Sequence, residues 1–208
     1  MYKHFLKRLI DIIGSLCGII VFGIPMIVIA FIIKSEDPGP AIFKQKRVGK
    51  KKNGEISYFE LYKFRSMKLS TPHDMPTHML SNPEQYLLKC GKTIRKYSLD
   101  ELPQLFNILK GDMAIIGPRP ALWNQDDLVA ERDKYGANNI KPGLTGWAQI
   151  NGRDELEIPL KAKLDGYYAK NISFILDVKC FFLTIIKVFK HEGVVEGGTG
   201  EINKNKGK

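Results

Sequence analysis

The stretch IIGSLCGIIVFGIPMIVIAFII, residues 12–33, decides how the rest is read, because it runs for 22 residues without a charge. That is enough helix to cross a hydrocarbon layer roughly 30 Å thick. A cleaved signal peptide is disfavoured, since the run is longer than a typical apolar core of such a peptide and no A-x-A-like site precedes Lys34. A buried core helix is the bland alternative, and an unbroken run of this length is rare in a small soluble domain. Cations stand on both flanks: Lys3, Lys7 and Arg8 before the run, and Lys34, Lys44, Lys46, Arg47 and Lys50 to Lys52 after it. Both ends therefore prefer the cytoplasmic side of a membrane. Pro25 deprives the Val21 carbonyl of its helical donor and favours a kink, with Gly18 and Gly23 loosening the same region. Two topologies follow equally well: a re-entrant helix dipping into one leaflet, or a kinked spanning helix with its N-terminus outside.

Outward from this segment, 208 residues and 23.6 kDa fit one ordinary domain with small appendages. Hydrophobic residues at 44% and charged ones at 26% exclude a largely disordered or collagen-like chain. A net charge of +10 predicts an anionic partner: nucleic acid, lipid headgroups or a phosphorylated substrate. Cys17, Cys90 and Cys180 are odd in number and lack a C-x-x-C pair, and the four histidines are dispersed. Neither a disulfide framework nor a zinc site is indicated, and a reducing compartment fits.

Asp37-Pro38-Gly39-Pro40 ends the apolar helix. The alternation in AIFKQKRVG and ISYFELYKF around GKKKNG then predicts a β-hairpin. Residues 41–68 hold nine Lys/Arg against Glu55 and Glu60, a cationic surface beside the membrane segment. After a turn-rich loop over residues 70–83, Ser98 with Glu101 three later reads as a capping box. A helix is predicted from Ser98, with Leu102, Leu105, Phe106 and Leu109 on its apolar face and Gly111 at its end. Met113 to Ile116 reads as a short strand before the stiff loop Gly117-Pro118-Arg119-Pro120, and Pro142 to Trp147 as a glycine-rich turn. Two more helices are expected, from about Asp154 to Lys170 and about Leu176 to His191, the last amphipathic enough for a headgroup layer.

Asp100 and Glu101 occupy a predicted first helical turn, where carboxylates ordinarily serve as caps. Arg95 and Lys96 just upstream, and Arg119 and Arg153 in Pro/Gly-stiffened loops, set that pair among cations suited to phosphates. Paired carboxylates with phosphate groups suggest Mg²⁺. No P-loop, dinucleotide fingerprint, H-E-x-x-H or D-x-D triplet is present.

The motifs around these residues carry a resemblance. Lys7-Arg8 with the apolar segment, Tyr62-Lys63-Phe64-Arg65-Ser66-Met67, Ile94 to Leu105 (IRKYSLDELPQL), Lys110-Gly111-Asp112-Met113, Gly117-Pro118-Arg119-Pro120, Pro142 to Gln149 (PGLTGWAQ) and Asn151-Gly152-Arg153 stand in one order. Together they strongly resemble the bacterial sugar transferases, the monotopic polyprenyl-phosphate glycosyl-1-phosphate transferases of the minimal type. The likeness covers residue 1 to about 192.

The resemblance implies an α+β, mainly α fold: an N-terminal re-entrant membrane helix (residues 1–36), a catalytic domain with a small β-hairpin and interfacial amphipathic helices (37–192), and a flexible tail (193–208). It implies transfer of a sugar 1-phosphate from a UDP-sugar to undecaprenyl phosphate, releasing UMP, at the cytoplasmic face of the bacterial inner membrane. Asp100 would be the nucleophile and Glu101 the Mg²⁺ holder. Arg95 and Lys63 would meet phosphate, and Pro118, Arg119, Pro120 and Arg153 the nucleotide sugar. An aspartate of ordinary pKa would already be ionised at neutral pH. The family usually breaks its membrane helix at Ser-Pro. Here the pair is Ile24-Pro25, so only the proline remains. Pro120 to Gln125 and Ser70-Thr71-Pro72 resemble members that start capsule with an N-acetylated 6-deoxyhexosamine. Membrane phospholipid is the other expected partner, a homodimer is compatible, and nucleic acid is not expected. The competing readings are a catalytically idle membrane scaffold and a membrane-tethered nucleic-acid-binding protein.

Overall fold

The computed structural model describes residues 2–71, 83–152 and 156–190. The fold is mixed and mostly helical. After a π-helical turn (Tyr2–Leu6), helix α1 runs Lys7–Glu36 and continues through Pro25. At 1.5 Å per residue it is about 45 Å long. Its buried residues are Asp11 and Ser15 towards one end and Met26, Ile29 and Ile33 towards the other. Between them Ile20, Val21 and Ile24 are exposed, and a Cβ on Gly23 would touch nothing within 4 Å.

Both ends of α1 are tied to the same folded unit. At the N-terminal end Arg8 donates to the carbonyls of Ile108 and Leu109, capping the last turn of another helix, while Lys7 pairs with Asp177 at 2.7 Å and Asp11 accepts from the Ile115 amide. At the other end Met26, Ile29 and Ile33 pack with Phe64, Leu88 and Ile94. Lys7 and Arg8, read as flank charges that prefer the cytoplasmic side, thus have internal partners.

The hairpin forms as expected: β1 (Ile42–Val48) pairs antiparallel with β2 (Tyr58–Phe64). Lys52 bridges Glu55 across Asn53 and Gly54, both at positive φ, the pattern of a type I′ turn. Helix α2 (Lys89–Lys96) follows. The predicted helix start at Ser98 is not found. Ser98 lies in the left-handed region (φ 55°) without a side-chain cap bond, Leu99–Glu101 make a 3₁₀ turn, and α3 spans only Gln104–Lys110. Pro103 is the reason: it would sit inside the predicted helix, where it has no amide to give Leu99, so the chain restarts after it. The apolar face shifts as well. Gln104, Leu105, Asn107 and Ile108 are buried, whereas Phe106 is exposed. Gly111 ends α3 at φ 101°, as expected.

Beyond α3, β3 (Ala114–Ile116) pairs in parallel with β4 (Gly143–Thr145), so the second glycine-rich segment is partly strand. The strands approach so closely that a Cβ on Gly146 would lie 2.0 Å from the Gly117 carbonyl oxygen. Between them α4 covers Asp126–Asp133. After α5 (Trp147–Ile150), α6 spans Ile158–Lys170, starting later than read because Pro159 favours the first helical turn. Helix α7 (Phe174–Lys190) buries Cys180 and packs Leu176 and Leu183 inward, while Phe174, Phe181, Phe182, Ile185 and Ile186 stay exposed. The 193–208 tail and most of the 70–83 loop lie outside the described residues.

A buried ion pair fastens α4 to α6: Arg132 Nε and Nη2 donate to Asp165 Oδ2 at 2.8 and 2.6 Å. Removing one partner strands a buried charge. Asp165→Ala is expected to lower Tm by roughly 10 °C, and the double change Arg132→Met/Asp165→Leu to recover most of it, both read by thermal unfolding in detergent.

Candidate active site

Four chain segments meet around the Asp100-Glu101 pair. The 3₁₀ turn presents Asp100 and Glu101, the end of β2 presents Lys63, the loop after β3 presents Arg119, and the last turn of α2 presents Arg95. Glu101 is buried, and its Oε1 accepts from Lys63 Nζ at 3.2 Å and Arg119 Nη2 at 2.9 Å. Two cations thus compensate a carboxylate that would otherwise be costly to bury.

Asp100 is half-buried beside it. Burial first, and then the Glu101 charge, push its pKa above the ordinary carboxylate value, while Lys63, Arg95 and Arg119 draw it back. This corrects the expectation of an unperturbed aspartate. Burial depresses the Lys63 ammonium, against the stabilising Glu101 charge and with the repulsion of Arg119. Arg95 Nε donates to Ser66 Oγ at 2.8 Å.

The loop carrying Arg119 is held on both sides. The Pro118 carbonyl accepts from the Gly143 amide, and that of Pro120 from Arg47 Nη1 at 3.0 Å. Val48 N donates to the Ala121 carbonyl, so the loop docks on the hairpin edge. Asp100, Glu101, Lys63, Arg95 and Arg119 are therefore brought together, flanked by Pro118 and Pro120. Pro25 sits in the exposed middle of α1 and belongs to no part of this cluster. Arg153 lies outside the described residues.

The donor set fits a hard cation. Asp100 and Glu101 are adjacent carboxylates, and among the described residues no group of three or more His, Cys, Asp or Glu is placed to hold a metal ion, so substrate oxygens would have to complete its shell. Mg²⁺ is commonly held by one or two carboxylates plus substrate phosphate oxygens.

Comparison with known proteins supplies the family. The sequence model of the bacterial sugar transferases matches residues 2–191. The chain belongs to the bacterial sugar transferase family. Among similar proteins, the uncharacterized sugar transferase EpsL of Bacillus subtilis (strain 168) is 40% identical over 189 residues, 91% of this chain and 90% of that protein. The UDP-N-acetylgalactosamine-undecaprenyl-phosphate N-acetylgalactosaminephosphotransferase of Aeromonas hydrophila is 40% identical over 190 residues, 87% of this chain and 43% of that protein. The undecaprenyl-phosphate galactose phosphotransferase of Salmonella typhimurium (strain LT2) is 34% identical over 205 residues, 92% of this chain and 42% of that protein. The chain thus spans less than half the length of the latter two.

In this sugar transferase, several residues that frame the site escape sequence reasoning. Asn107, fully buried, accepts from the Tyr62 amide at 3.0 Å and donates to the Glu60 carbonyl at 2.7 Å, acting as a strand partner along the free edge of β2 that delivers Lys63. Its only signal is a polar residue interrupting an apolar helix. Arg47 and Ser66 lie inside basic motifs where many cations and hydroxyls look alike. Gln104, three residues after Glu101, has its Nε2 buried with no acceptor among the described residues.

Proposed function

We propose that this protein transfers a sugar 1-phosphate from a UDP-sugar to undecaprenyl phosphate, releasing UMP, as the first membrane step of a surface polysaccharide or glycoconjugate. The observation that carries the reading is the half-buried Asp100 beside Glu101, ringed by Lys63, Arg95 and Arg119. The names of the Aeromonas and Salmonella relatives supply the acceptor lipid and differ in the sugar, so the donor is left to experiment.

An Asp100 oxygen attacks the sugar-bearing β-phosphorus of the donor. The P–O bond to UMP breaks, its electron pair leaves with UMP, and an aspartyl phospho-sugar remains. An oxygen of the lipid phosphate then attacks the same phosphorus and returns the electron pair to the Asp100 carboxylate. Arg95 and Lys63 hold phosphate charge, and Arg119 orients the nucleotide end from its clamped loop. Glu101 would hold Mg²⁺, whose charge, when bound, offsets that of the diphosphate.

The acceptor phosphate lies at headgroup depth, and the exposed apolar residues fit a site placed there. The uncovered middle of α1 enters the cytoplasmic leaflet of the inner membrane and returns, while Phe106 and the outer face of α7 rest at its surface. The nucleic-acid reading loses ground because Lys7, Arg8, Lys63 and Arg65 are engaged internally. The test is UMP release in nanodiscs with Mg²⁺, undecaprenyl phosphate and a panel of UDP-sugars. Lipid-dependent release from one donor is expected, and silence across a broad panel by folded protein would return the chain to a scaffold.

A further inference from the structure

Arg95, whose charge acts on Asp100, stands on a helix with no side-chain cap of its own at its N-terminus. Helix α2, KCGKTIRK, contains four cations and no acid, and its N-cap residue Leu88 has no side-chain oxygen to offer. The Glu36 carboxylate, last residue of α1, caps it instead, accepting from the amides of Lys89 and Cys90. This places negative charge where the helix dipole favours it. Ser66 grips the same helix twice more. Its carbonyl accepts from Leu88 N at 3.0 Å and its hydroxyl from Arg95 Nε at 2.8 Å. Contact is so close that a Cβ on Gly91 would lie 2.2 Å from the Ser66 carbonyl oxygen. Ser66 is itself anchored through Arg65, whose buried guanidinium pairs with Asp37 and donates to the Pro40 carbonyl.

We propose that Ser66 is a positioning residue that aims the Arg95 guanidinium at the acceptor phosphate, with Glu36 setting the helix that carries it. Arg95 has a long side chain with several rotatable bonds, and a bond at Nε fixes the plane of its fork. Both fastenings trace back to the exit of α1 at Glu36-Asp37. The placement of Arg95 therefore depends on how the apolar helix is seated. This rests on the reading of Arg95 as a lipid-phosphate partner.

The test uses full-length protein in nanodiscs as wild type, Ser66→Ala, Arg95→Ala and the double variant. Ser66→Ala is expected to raise KM for undecaprenyl phosphate about 5–10-fold while leaving KM for the donor unchanged, and to add nothing in the Arg95→Ala background. Glu36→Gln is expected to move the acceptor KM in the same direction. A fall in kcat with both KM values unchanged, or an equal effect with and without Arg95, would overturn the assignment. An arginine Nε–H NMR signal, assigned by its loss in Arg95→Lys, gives a readout independent of turnover. It is expected to exchange slowly with water in wild type and rapidly in Ser66→Ala, and an unchanged signal would overturn the clamp. Absence of UMP release in wild type with that signal responding as expected would sink the reaction and leave the clamp standing.

Discussion

Asp100→Asn is expected to lower UMP release at least about 10³-fold, with the fold intact. Asparagine nearly matches the aspartate in shape, and its amide cannot form the acyl phosphate. The decisive measurement is covalent capture. Wild type incubated with a sugar-labelled donor and no acceptor lipid should carry the label, release it when undecaprenyl phosphate is added, and show none in Asp100→Asn. Label on the variant, or more than about a tenth of wild-type turnover, would remove Asp100 as nucleophile. Stability should move the other way. Burial and Glu101 raise the Asp100 pKa in the folded protein, so between the unfolded and folded values the folded state holds the extra proton. Stability contributed by this group is therefore lost as pH rises through that window. In magnesium-free buffer near pH 7, Asp100→Asn is expected to melt higher than wild type, a gain that disappears below the carboxylate range. The group proposed to perform the chemistry is one the fold holds at a cost.

What was legible in the sequence follows from the range of each signal. The hairpin is local: alternating residues and Asn53-Gly54 determine β1, β2 and their turn, and the register follows from them. Gly111 likewise ends α3 by its own backbone freedom. The capping box at Ser98 failed because a four-residue pattern was read without Pro103, five residues on, which forbids the helix it would begin. The phase of α3 failed for a different reason. Hydrophobic periodicity scores Phe106 as core and Asn107 as surface, whereas the amide completes the edge of β2 and the ring is exposed. Convergence of Lys63, Arg95 and Arg119 on the dyad is nowhere in the spacing. They stand on a strand, a helix and a loop: Arg95 and Arg119 are grouped with the dyad by their residue types, and Lys63 joins them before the fold only through the family likeness. The flank charges show the reverse error. Lys7 and Arg8 were weighed as topology signals, yet one neutralises Asp177 and the other closes α3, so the charge count alone could not separate two topologies.

The bonds at the two ends of α1 support the re-entrant reading proposed above, where the charge count favours neither. A helix spanning the bilayer would carry Tyr2 to Asp11 to the face opposite Glu36 and Asp37, yet both ends are bonded to one folded unit: Arg8 to α3 and Asp11 to β3 at one end, Glu36 to α2 and Asp37 to Arg65 at the other. Crossing would break one set or the other and strand Asp11 or Arg65, each buried, without its partner. Gly18 and Ile19 still lie against Leu105, so the part proposed to enter lipid is the stretch from Ile20 to Pro25, which has no buried residue. Lys3→Cys and Ser35→Cys, both at exposed positions, are therefore expected to react with a membrane-impermeant maleimide from the same side, nearly completely in inverted vesicles and hardly at all in sealed cells, in a background with the native cysteines replaced. Labelling of residue 3 from outside with residue 35 protected would establish a spanning helix and dismantle the proposed presentation of Arg95 and Asp100 to a phosphate in the inner leaflet. Pro25→Ala should leave both positions on the same side, because protein contacts at the two ends, rather than the proline, hold them there.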